Sequence, residues 1–424
     1  MMSDLTSLGM LIIFVVGYAC IALEHTLGIN KAATAIGMAA VLWALLLGHT
    51  HDAHHAVEAL TEHLAETAQV IFFLMGAMTL VEVIDAHGAF RVVTDQIRTK
   101  NPRGLLVAIG FLAFFMSAVL DNLTTTIVMV SLLRRMIADK EQRLLFCSFV
   151  VIAANAGGAW TPIGDVTTTM LWIGGQITTV GVIRALLVPS LVSLAASMVM
   201  LAFMMTTEPV EAPGAHAEAS ESMRKGARRV LSLGLSAFLL VPILKATLHV
   251  PPFLGICVGL SVMWTFTDVL HREDDSKDPV HVPHALSRID VSSAFFFLGI
   301  LLAVGALQTE GILREVASGL AAVTDNEAVI AGLMGVASSI VDNVPLVAAI
   351  MQMYPLSQYP IDASFWDLIA YCAGTGGSLL IVGSAAGVAL MGMEHVTFGW
   401  YMKKASPVAA AGYIAGLLAA IVVG

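Results

Sequence analysis

Charged side chains are scarce in this chain. Only 12% of its 424 residues are Asp, Glu, Lys or Arg, whereas 58% are hydrophobic; a soluble domain has about 25% charged residues. The apolar residues form repeated runs close to the ~20 residues that an α-helix needs to cross the hydrocarbon core of a bilayer. The composition therefore excludes an ordinary soluble domain and indicates an all-α polytopic membrane protein.

An excess of basic residues and closely paired cysteines are also lacking. The formal net charge is −10, which gives no support for a nucleic-acid partner. The four cysteines, at positions 20, 147, 257 and 372, each stand alone in an apolar run, without the pairing typical of zinc or redox sites. The first apolar segment has no basic region or small-residue cleavage site, so we expect a retained helix there instead of a signal peptide. The bilayer is the expected partner, and no cofactor is predicted.

Two polar blocks interrupt the apolar pattern between residues 104 and 165. The first contains Asp121-Asn122 followed by three threonines, and the second runs from Asn155 through two glycines and Pro162 to Asp165. Irregular backbone at membrane depth is tolerated only where it is buried in protein or lines a wet cavity. We expect the glycines and the proline to unwind the helix there. Carboxylates and amides at that depth are expensive and indicate a functional site.

The same pattern returns about 220 residues later. Three groups of residues match at a nearly constant spacing: Gly76, Gly88 and Arg91 with Gly299, Gly311 and Arg314; Ser117, Asp121 and Asn122 with Ser338, Asp342 and Asn343; Gly157, Gly158 and Gly164 with Gly376, Gly377 and Gly383. The sequence therefore indicates two copies of one structural unit. Inverted repeats with paired discontinuous helices are typical of secondary transporters, whose binding site lies near the midplane of the membrane.

Apolar runs and polar punctuation divide the chain into two such repeats. We predict a first repeat over 1–205, a cytoplasmic linker over 206–229 and a second repeat over 230–424. Each repeat has five transmembrane crossings plus a re-entrant hairpin. The predicted hairpins span 104–133 and 328–353, and the broken helices span 144–178 and 365–391. The other predicted crossings are 8–27, 32–48, 68–85, 182–205, 230–250, 252–270, 291–308 and 405–424.

The placement of charge predicts the orientation of the repeats. Lysine and arginine mark cytoplasmic loops, and basic residues flank the first hairpin on both sides, whereas acidic residues flank the second. The first hairpin is therefore expected to enter from the cytoplasm and the second from the opposite side. Because five crossings is an odd number, the second repeat is inverted. Both termini are then expected on the outer side of the membrane.

The polar blocks together supply oxygen ligands of the kind that hard cations prefer. Asp121, Asp165 and Asp342 have no lysine or arginine in their own segments, so each could hold a proton or a share of a cation. A single intramembrane Asp can instead be a structural hydrogen-bond partner, and hydroxyls often bond to their own helix backbone. The candidate ion- and proton-binding residues are Asp121, Asn122, Thr124, Asn155, Thr161, Asp165, Thr167, Thr168, Asp342, Asn343, Thr375, Ser378 and Ser384.

A second group of titratable residues lies near the ends of the predicted helices. Glu24, Glu82 and Asp85 are expected to be interface residues or to give protons access to the site. Five histidines between His49 and His63 fall in a loop predicted to be solvated and outside. A pH-sensing role there would involve His51 and His55.

Four sequence blocks carry a resemblance to a known family. SAVLDNLTTTIVM, NAGGAWTPIGDVTTTMLW, SSIVDNVPLVAAI and GTGGSLLIVGSAAGVALMG resemble the NhaD-type sodium/proton antiporters of the ion transporter superfamily. The resemblance implies a homodimer with a static scaffold and a moving, elevator-type transport domain. It also implies lithium as a second substrate. The residues implied to bear on ion binding are Asp121, Asn122, Asn155, Asp165, Thr167, Thr168, Asp342, Asn343 and Ser378. Of these, Asp121, Asn122, Asn155, Asp165, Asp342 and Asn343 are expected to bind sodium. The resemblance also implies the inner membrane of a bacterium, with both termini in the periplasm.

Two other functions remain open on the sequence alone. A carrier of arsenite or a carboxylate from the same superfamily would use an Asp only for proton coupling, but the four blocks contain no arginine to receive an anion. An intramembrane aspartyl protease would pair Asp121 with Asp165, which leaves the duplicated Asp-Asn pair without an explanation. Exchange of cytoplasmic sodium for external protons by alternating access therefore accounts best for the pattern.

Overall fold

The computed structural model describes residues 2–22, 24–50, 53–95, 97, 99, 101–205, 210, 223–272, 280–321, 324, 326–340 and 343–423. All regular structure in these residues is helical. The helices are α1 Met2–Ala22, α2 Glu24–Leu27, α3 Lys31–His49, α4 Ala53–Ala86, α5 Arg91–Thr94, α6 Pro102–Ser117, α7 Asn122–Met136, α8 Lys140–Ala159, α9 Val166–Ile173, α10 Thr179–Met204, α11 Ala227–Leu248, α12 Pro252–Leu270, α13 Val282–Arg288, α14 Val291–Thr309, α15 Ile312–Ala321, α16 Glu327–Ser338, α17 Asn343–Met353, α18 Ser364–Gly376, α19 Ala385–Glu394, α20 Phe398–Lys404 and α21 Ser406–Val423.

The apolar segments predicted from the sequence coincide with these helices. Eight helices in the described part of the chain are long and apolar enough to cross a membrane. The shorter apolar helical stretches are Thr6–Ile21 within α1 and the helices α6, α16, α17 and α19. The two predicted broken crossings are the pairs α8/α9 and α18/α19, interrupted at 160–165 and 377–384. The all-α polytopic architecture is therefore confirmed.

The first predicted hairpin consists of α6 and α7, which pack on α8. A Cβ atom at Gly110 would press on the ring of Phe149, and one at Gly157 would collide with the backbone of Phe114, so α6 and α8 run side by side in the same direction. Asn122 contacts Asn155 at the top, and Arg143 donates to the carbonyl of Ile137 (2.9 Å) at the bottom. Helix α7 therefore returns antiparallel to α8.

Helices α16 and α17 make an equivalent arrangement on α18. A Cβ atom at Gly376 would collide with the carbonyl of Gly335, much as one at Gly157 would with Phe114. The ring of Tyr354, just after α17, lies 5.0 Å from that of Phe365 near the start of α18. Helix α17 thus returns along α18, although Asp342 itself lies outside the described residues.

The two broken helices run in opposite directions. Glu394 at the end of α19 is paired with Arg143 near the start of α8 (3.1 Å) and with Arg134 at the end of α7 (2.5 Å). At the other end, Asp362, just before α18, accepts hydrogen bonds from the backbone and hydroxyl of Thr178, which follows α9. The interruptions therefore meet near the middle of both helices.

The prediction that the glycines of the polar blocks unwind the helix is wrong for three of them. Gly157, Gly158 and Gly376 lie inside helices α8 and α18, and the chain leaves the helix only after Ala159 and Gly376. These glycines do not unwind the helix, because their role is contact: Gly157 admits the backbone of Phe114, and Gly158 lies against the backbone of Gly164. A glycine that permits close packing cannot be told from one that breaks a helix by sequence alone.

The histidine-rich segment is likewise not a loop in its described part. His49 ends α3, and His54, His55 and His63 lie on the first turns of α4, which begins at Ala53. Helix α4 is 34 residues long, well beyond the ~20 needed to cross a bilayer. Its first half is polar and its second half is apolar. His51 lies outside the described residues.

Packing of α6 against α8 gives the first test. We expect Gly157→Ala to destabilise the protein by about 1–3 kcal/mol, because its Cβ would overlap backbone atoms that no rotamer change can move. Thermal unfolding of the purified protein in detergent measures this. The matched control is Gly37→Ala on α3, where a Cβ meets no atom within 4 Å. Equal melting temperatures for the two variants would contradict the packing.

Candidate ion-binding site

The interruption of the first broken helix is tied to the tip of the first hairpin. The hydroxyl of Thr161 donates to the carbonyl of Ala118 (2.7 Å) and accepts from the backbone N–H of Gly164 (3.1 Å). Gly164 itself packs against the carbonyl of Ser117. The hydroxyl of Thr161, which was predicted to bind ions, therefore bonds to backbone groups at the end of α6 and in the interruption. These bonds hold the two segments together and position the site.

Aspartates are the N-caps of α7 and α9, the two helices that begin after the polar blocks of the first half. The side chain of Asp121 is the N-cap of α7 and accepts from the backbone N–H of Thr124 (2.7 Å). Asp165 is the N-cap of α9 and accepts from the N–H of Thr167 (3.3 Å). A carboxylate there satisfies an orphan N–H and complements the positive end of the helix dipole. The capping geometry therefore places both carboxylates beside the interruptions.

A buried hydrogen-bond network connects the hairpin to the broken helix. The amide nitrogen of Asn122 donates to Asp165 Oδ1 (2.8 Å) and to Asn155 Oδ1 (3.0 Å). Asp165 is 2% exposed and Asn155 is fully buried. The hydroxyl of Thr167 also donates to Asp165 Oδ2. These four predicted residues are brought together on α7, α8 and α9.

The network continues into the second half of the chain. Asn155 Nδ2 donates to the hydroxyl of Ser378 (2.8 Å) and to that of Ser384 (3.1 Å). Ser384 caps α19 as Asp165 caps α9, its hydroxyl accepting from the N–H of Gly387. Tyr401 fixes the turn because its hydroxyl donates to the carbonyl of Ser378 (3.0 Å). One amide, that of Asn155, therefore joins the two interruptions.

Other predicted hydroxyls bond to nearby backbone. Thr168 donates to the carbonyl of Ala159 (3.3 Å) and Thr375 to that of Tyr371 (2.6 Å). Thr124 donates to Asp121 Oδ2 (2.7 Å). Asn343 is buried at the start of α17, next to Asp342, which the structure does not describe.

Asp121 faces a cavity instead of the buried network. This cavity has a volume of about 270 Å³ and is lined by Asp121, Asn122, Thr124 and, from helix α4, by Glu82 and Asp85. Two of the residues predicted to give protons access are thus placed along the approach to Asp121. The apolar lining comes mainly from α4 and α7.

A second cavity, of about 430 Å³, reaches the other interruption. It is lined by Gly383 and Ser384 and, from the first residues of α2 and α3, by Glu24 and Lys31. The carboxylate of Glu24 accepts from the backbone N–H of Lys31 (3.2 Å). His55 is exposed on α4 and lines neither cavity.

Sequence reasoning missed Arg288 and Asp290, two of the charged residues that line these cavities. Asp290 lines both, and Arg288 lines the one that contains Asp121. Asp290 is the N-cap of α14 and accepts from the N–H of Ser293 (3.1 Å). Neither lies in the four repeated blocks, so only the position of Asp290 just before an apolar helix could have pointed to it.

Comparison with known proteins supports a transport site. The profile of the CitMHS family, described as citrate transporter, matches residues 1–374. "Sodium/proton antiporter 2" of Arabidopsis thaliana is 49% identical over 96% of this chain and 98% of its own length. "Sodium/proton antiporter 1" of the same plant is 50% identical over 98% of this chain and 72% of its own. "Na(+)/H(+) antiporter NhaD" of Vibrio parahaemolyticus is 33% identical over 91% and 98%.

A solved structure shows the same fold. The YdaH transporter of Alcanivorax borkumensis aligns with a TM-score of 0.58 over 92% of this chain and 96% of that one, at 11% sequence identity. Together with the sequence matches, this places the helical interruptions described above within a transporter fold. The chain is a multi-pass membrane transporter, not an enzyme, and it belongs to the CitMHS family together with the NhaD-type sodium/proton antiporters.

Proposed function

We propose that this transporter exchanges Na⁺ for H⁺ at the network around Asp165. The observation that carries the proposal is a carboxylate that is 2% exposed and accepts from the amide of Asn122 and the hydroxyl of Thr167. Asn122 also bonds to Asn155, whose amide connects this network to Ser378 in the second half of the chain. A buried charge is costly unless a partner neutralises it. A proton does so by bonding to the carboxylate, and Na⁺ does so with oxygen ligands at hand. Binding of one displaces the other, which is the basis of exchange.

The ligand set favours a cation over an anion. Helix N-termini attract anionic substrates through free N–H groups and the helix dipole. Here Asp121 and Asp165 occupy the N-termini of α7 and α9 with the protein's own carboxylates, so a citrate-like anion would meet negative charge. The relatives named sodium/proton antiporters agree with this chemistry better than the family description does.

The antiparallel broken helices support a specific mechanism. We propose that the two halves are inverted repeats and that their hairpins enter the membrane from opposite sides. The pair of hairpins and broken helices carries the ion past a scaffold of α3, α4, α11, α12 and α14, which pack on one another. Such motion would be elevator-type alternating access. Asp342 completes the site in this proposal, and Li⁺ is a second substrate because it shares the same preference for oxygen ligands.

Orientation and assembly complete the proposal. Arg134, Arg143 and Lys403 lie at one end of the broken helices or just after them, and the positive-inside rule assigns that end to the cytoplasm. Both termini then lie on the opposite side of the membrane. We expect a homodimer. We place it in the inner membrane of a bacterium or a corresponding plant membrane, since relatives come from both sources.

Substitution of the capping aspartates tests the proposal. Asp165→Asn removes the charge but keeps the cap, so we expect Na⁺-dependent proton flux in proteoliposomes to fall by about 100-fold, the loss of a hydrogen-bonded buried charge. Asp121→Asn should have a similar effect. The matched control is Asp139→Asn, an exposed N-cap of α8 that accepts from the N–H of Gln142 (2.7 Å) and lies outside the site.

The result that would overturn the proposal is equally specific. If Asp165→Asn retained the flux of Asp139→Asn, the buried carboxylate would not be the exchange site. If the parent protein showed no proton flux with Na⁺ or Li⁺ but accumulated citrate, the anion carrier suggested by the family description would replace the antiporter.

Competition also predicts a pH dependence. Because Na⁺ and H⁺ share one carboxylate, protonation at low pH lowers the affinity for Na⁺. The Na⁺ concentration at half-maximal flux should rise by up to about tenfold for each unit of pH decrease in the acid range and should become constant at high pH. Flux titrations between pH 6 and 9.5 would measure it. A half-saturating Na⁺ concentration that stayed constant while the maximal rate changed would contradict a shared site.

A further inference from the structure

A half-exposed arginine lines the cavity that reaches Asp121. Its described lining includes four carboxylates, Glu82, Asp85, Asp121 and Asp290, together with the guanidinium of Arg288. Arg288 is the last residue of α13, and Ile289, the buried residue that follows it, anchors the chain before Asp290 caps α14. The position of the arginine is therefore fixed on the scaffold side, while its side chain extends into the cavity.

The pairing of Arg288 is loose. Its Nε lies 3.0 Å from Glu82 Oε1, with the arginine side chain 52% exposed and the glutamate side chain 22% exposed. Despite the distance, Glu82 Oε1 receives no well-aligned hydrogen bond from the described residues. The contact is therefore Coulombic and lacks the fixed geometry of a bidentate arginine–carboxylate pair. A mobile cation can therefore readily replace the guanidinium of Arg288 beside Glu82.

Two simpler roles account for less of this arrangement. As a structural tie between α13 and α4, a half-exposed ion pair adds little stability. As a receptor for an anionic substrate, Arg288 would need free donors facing the cavity, but Glu82 already lies against it and three other carboxylates share the lining. Surroundings of this kind repel an anion and concentrate cations.

We propose that Arg288 is a tethered cation that competes with Na⁺ for the carboxylates of this cavity and thereby sets the Na⁺ affinity of the transporter. The proposal rests on Na⁺/H⁺ exchange as the function. Na⁺ that enters displaces the guanidinium from Glu82, and the guanidinium returns to Glu82 when Na⁺ leaves, so this carboxylate has a cationic partner in both states. Arg288 thus weakens binding and speeds release, which makes it an affinity-determining residue distinct from the buried ligands.

Neutralisation of Arg288 tests the proposal. In Arg288→Gln, the half-saturating Na⁺ concentration should fall about fivefold, because one unit of competing charge near the ion is removed, and the maximal rate should fall because release slows. Arg288→Lys keeps the charge and should stay close to the parent. Glu82→Gln releases the guanidinium toward the remaining carboxylates, so its half-saturating Na⁺ concentration should rise.

The matched control is Arg103→Gln, which removes the same charge from an exposed position at the start of α6. Added choline chloride should shrink the difference between the Arg288 and Arg103 variants, since salt screens exposed charges. A half-saturating Na⁺ concentration in Arg288→Gln equal to that in Arg103→Gln would overturn the proposal, as would equal changes in Arg288→Gln and Arg288→Lys. If Arg288→Gln does not reach the membrane, the Lys and Glu82 variants decide by the same criteria.

This test is separate from that of the function itself. Absence of Na⁺-dependent flux in the parent would remove the antiporter and with it the tethered cation. Flux in the parent with no selective effect at Arg288 would leave the antiporter intact and remove only the tethered cation. Loss of citrate uptake in Arg288→Gln, in a parent that carries citrate, would assign the arginine to an anion and overturn the proposal.

Discussion

The site depends on how the chain satisfies backbone groups where its helices are interrupted. Apolar surroundings offer no water to the N–H groups at the start of α7, α9 and α19, so side chains must accept from them. Asp121, Asp165 and Ser384 do so. The requirement that makes these helices possible also fixes where the oxygen atoms lie, and the glycine contacts at Gly157 and Gly376 bring the fixed atoms together.

Asn155 then determines how the two interruptions communicate. Its amide accepts from Asn122 and donates to Ser378 and Ser384, so it is satisfied in both directions without adding charge. An amide is suited to this place because a second buried carboxylate would repel Asp165, whereas an apolar side chain would leave the serine hydroxyls without a donor. Among the described residues the network therefore contains one carboxylate, Asp165, while Asp121 lies in the adjoining cavity.

Local sequence predicted the elements well and their junctions less well. Apolar runs near 20 residues predicted the long apolar helices, and the polar blocks predicted where the chain leaves the helix between α8 and α9 and between α18 and α19, because these signals are local. The end of α8 after Ala159 was not predicted, because Gly157 packs against the backbone of Phe114 instead of ending the helix, and this is a tertiary contact. The network around Asn155 was predicted in its members but not in its pairings. Arg288 was missed because it lies in an ordinary polar stretch and reaches the cavity only through the packing of α13 on α4.

The same geometry explains how one fold serves relatives with different named substrates. The glycine contacts and the reversed chain directions determine how the broken helices and hairpins pack, and the overall fold is shared with the YdaH transporter at 11% identity. The choice falls to the caps: a hydroxyl or amide at a helix N-terminus leaves part of its positive potential available to an anion, whereas a carboxylate consumes it and faces the substrate with negative charge. This chain places carboxylates at the start of α7 and α9 and a hydroxyl at the start of α19. The residues that set the charge at the interruptions are therefore the same ones that the helices require for their own stability, so a substitution at a cap changes this charge while the glycine contacts between the helices remain.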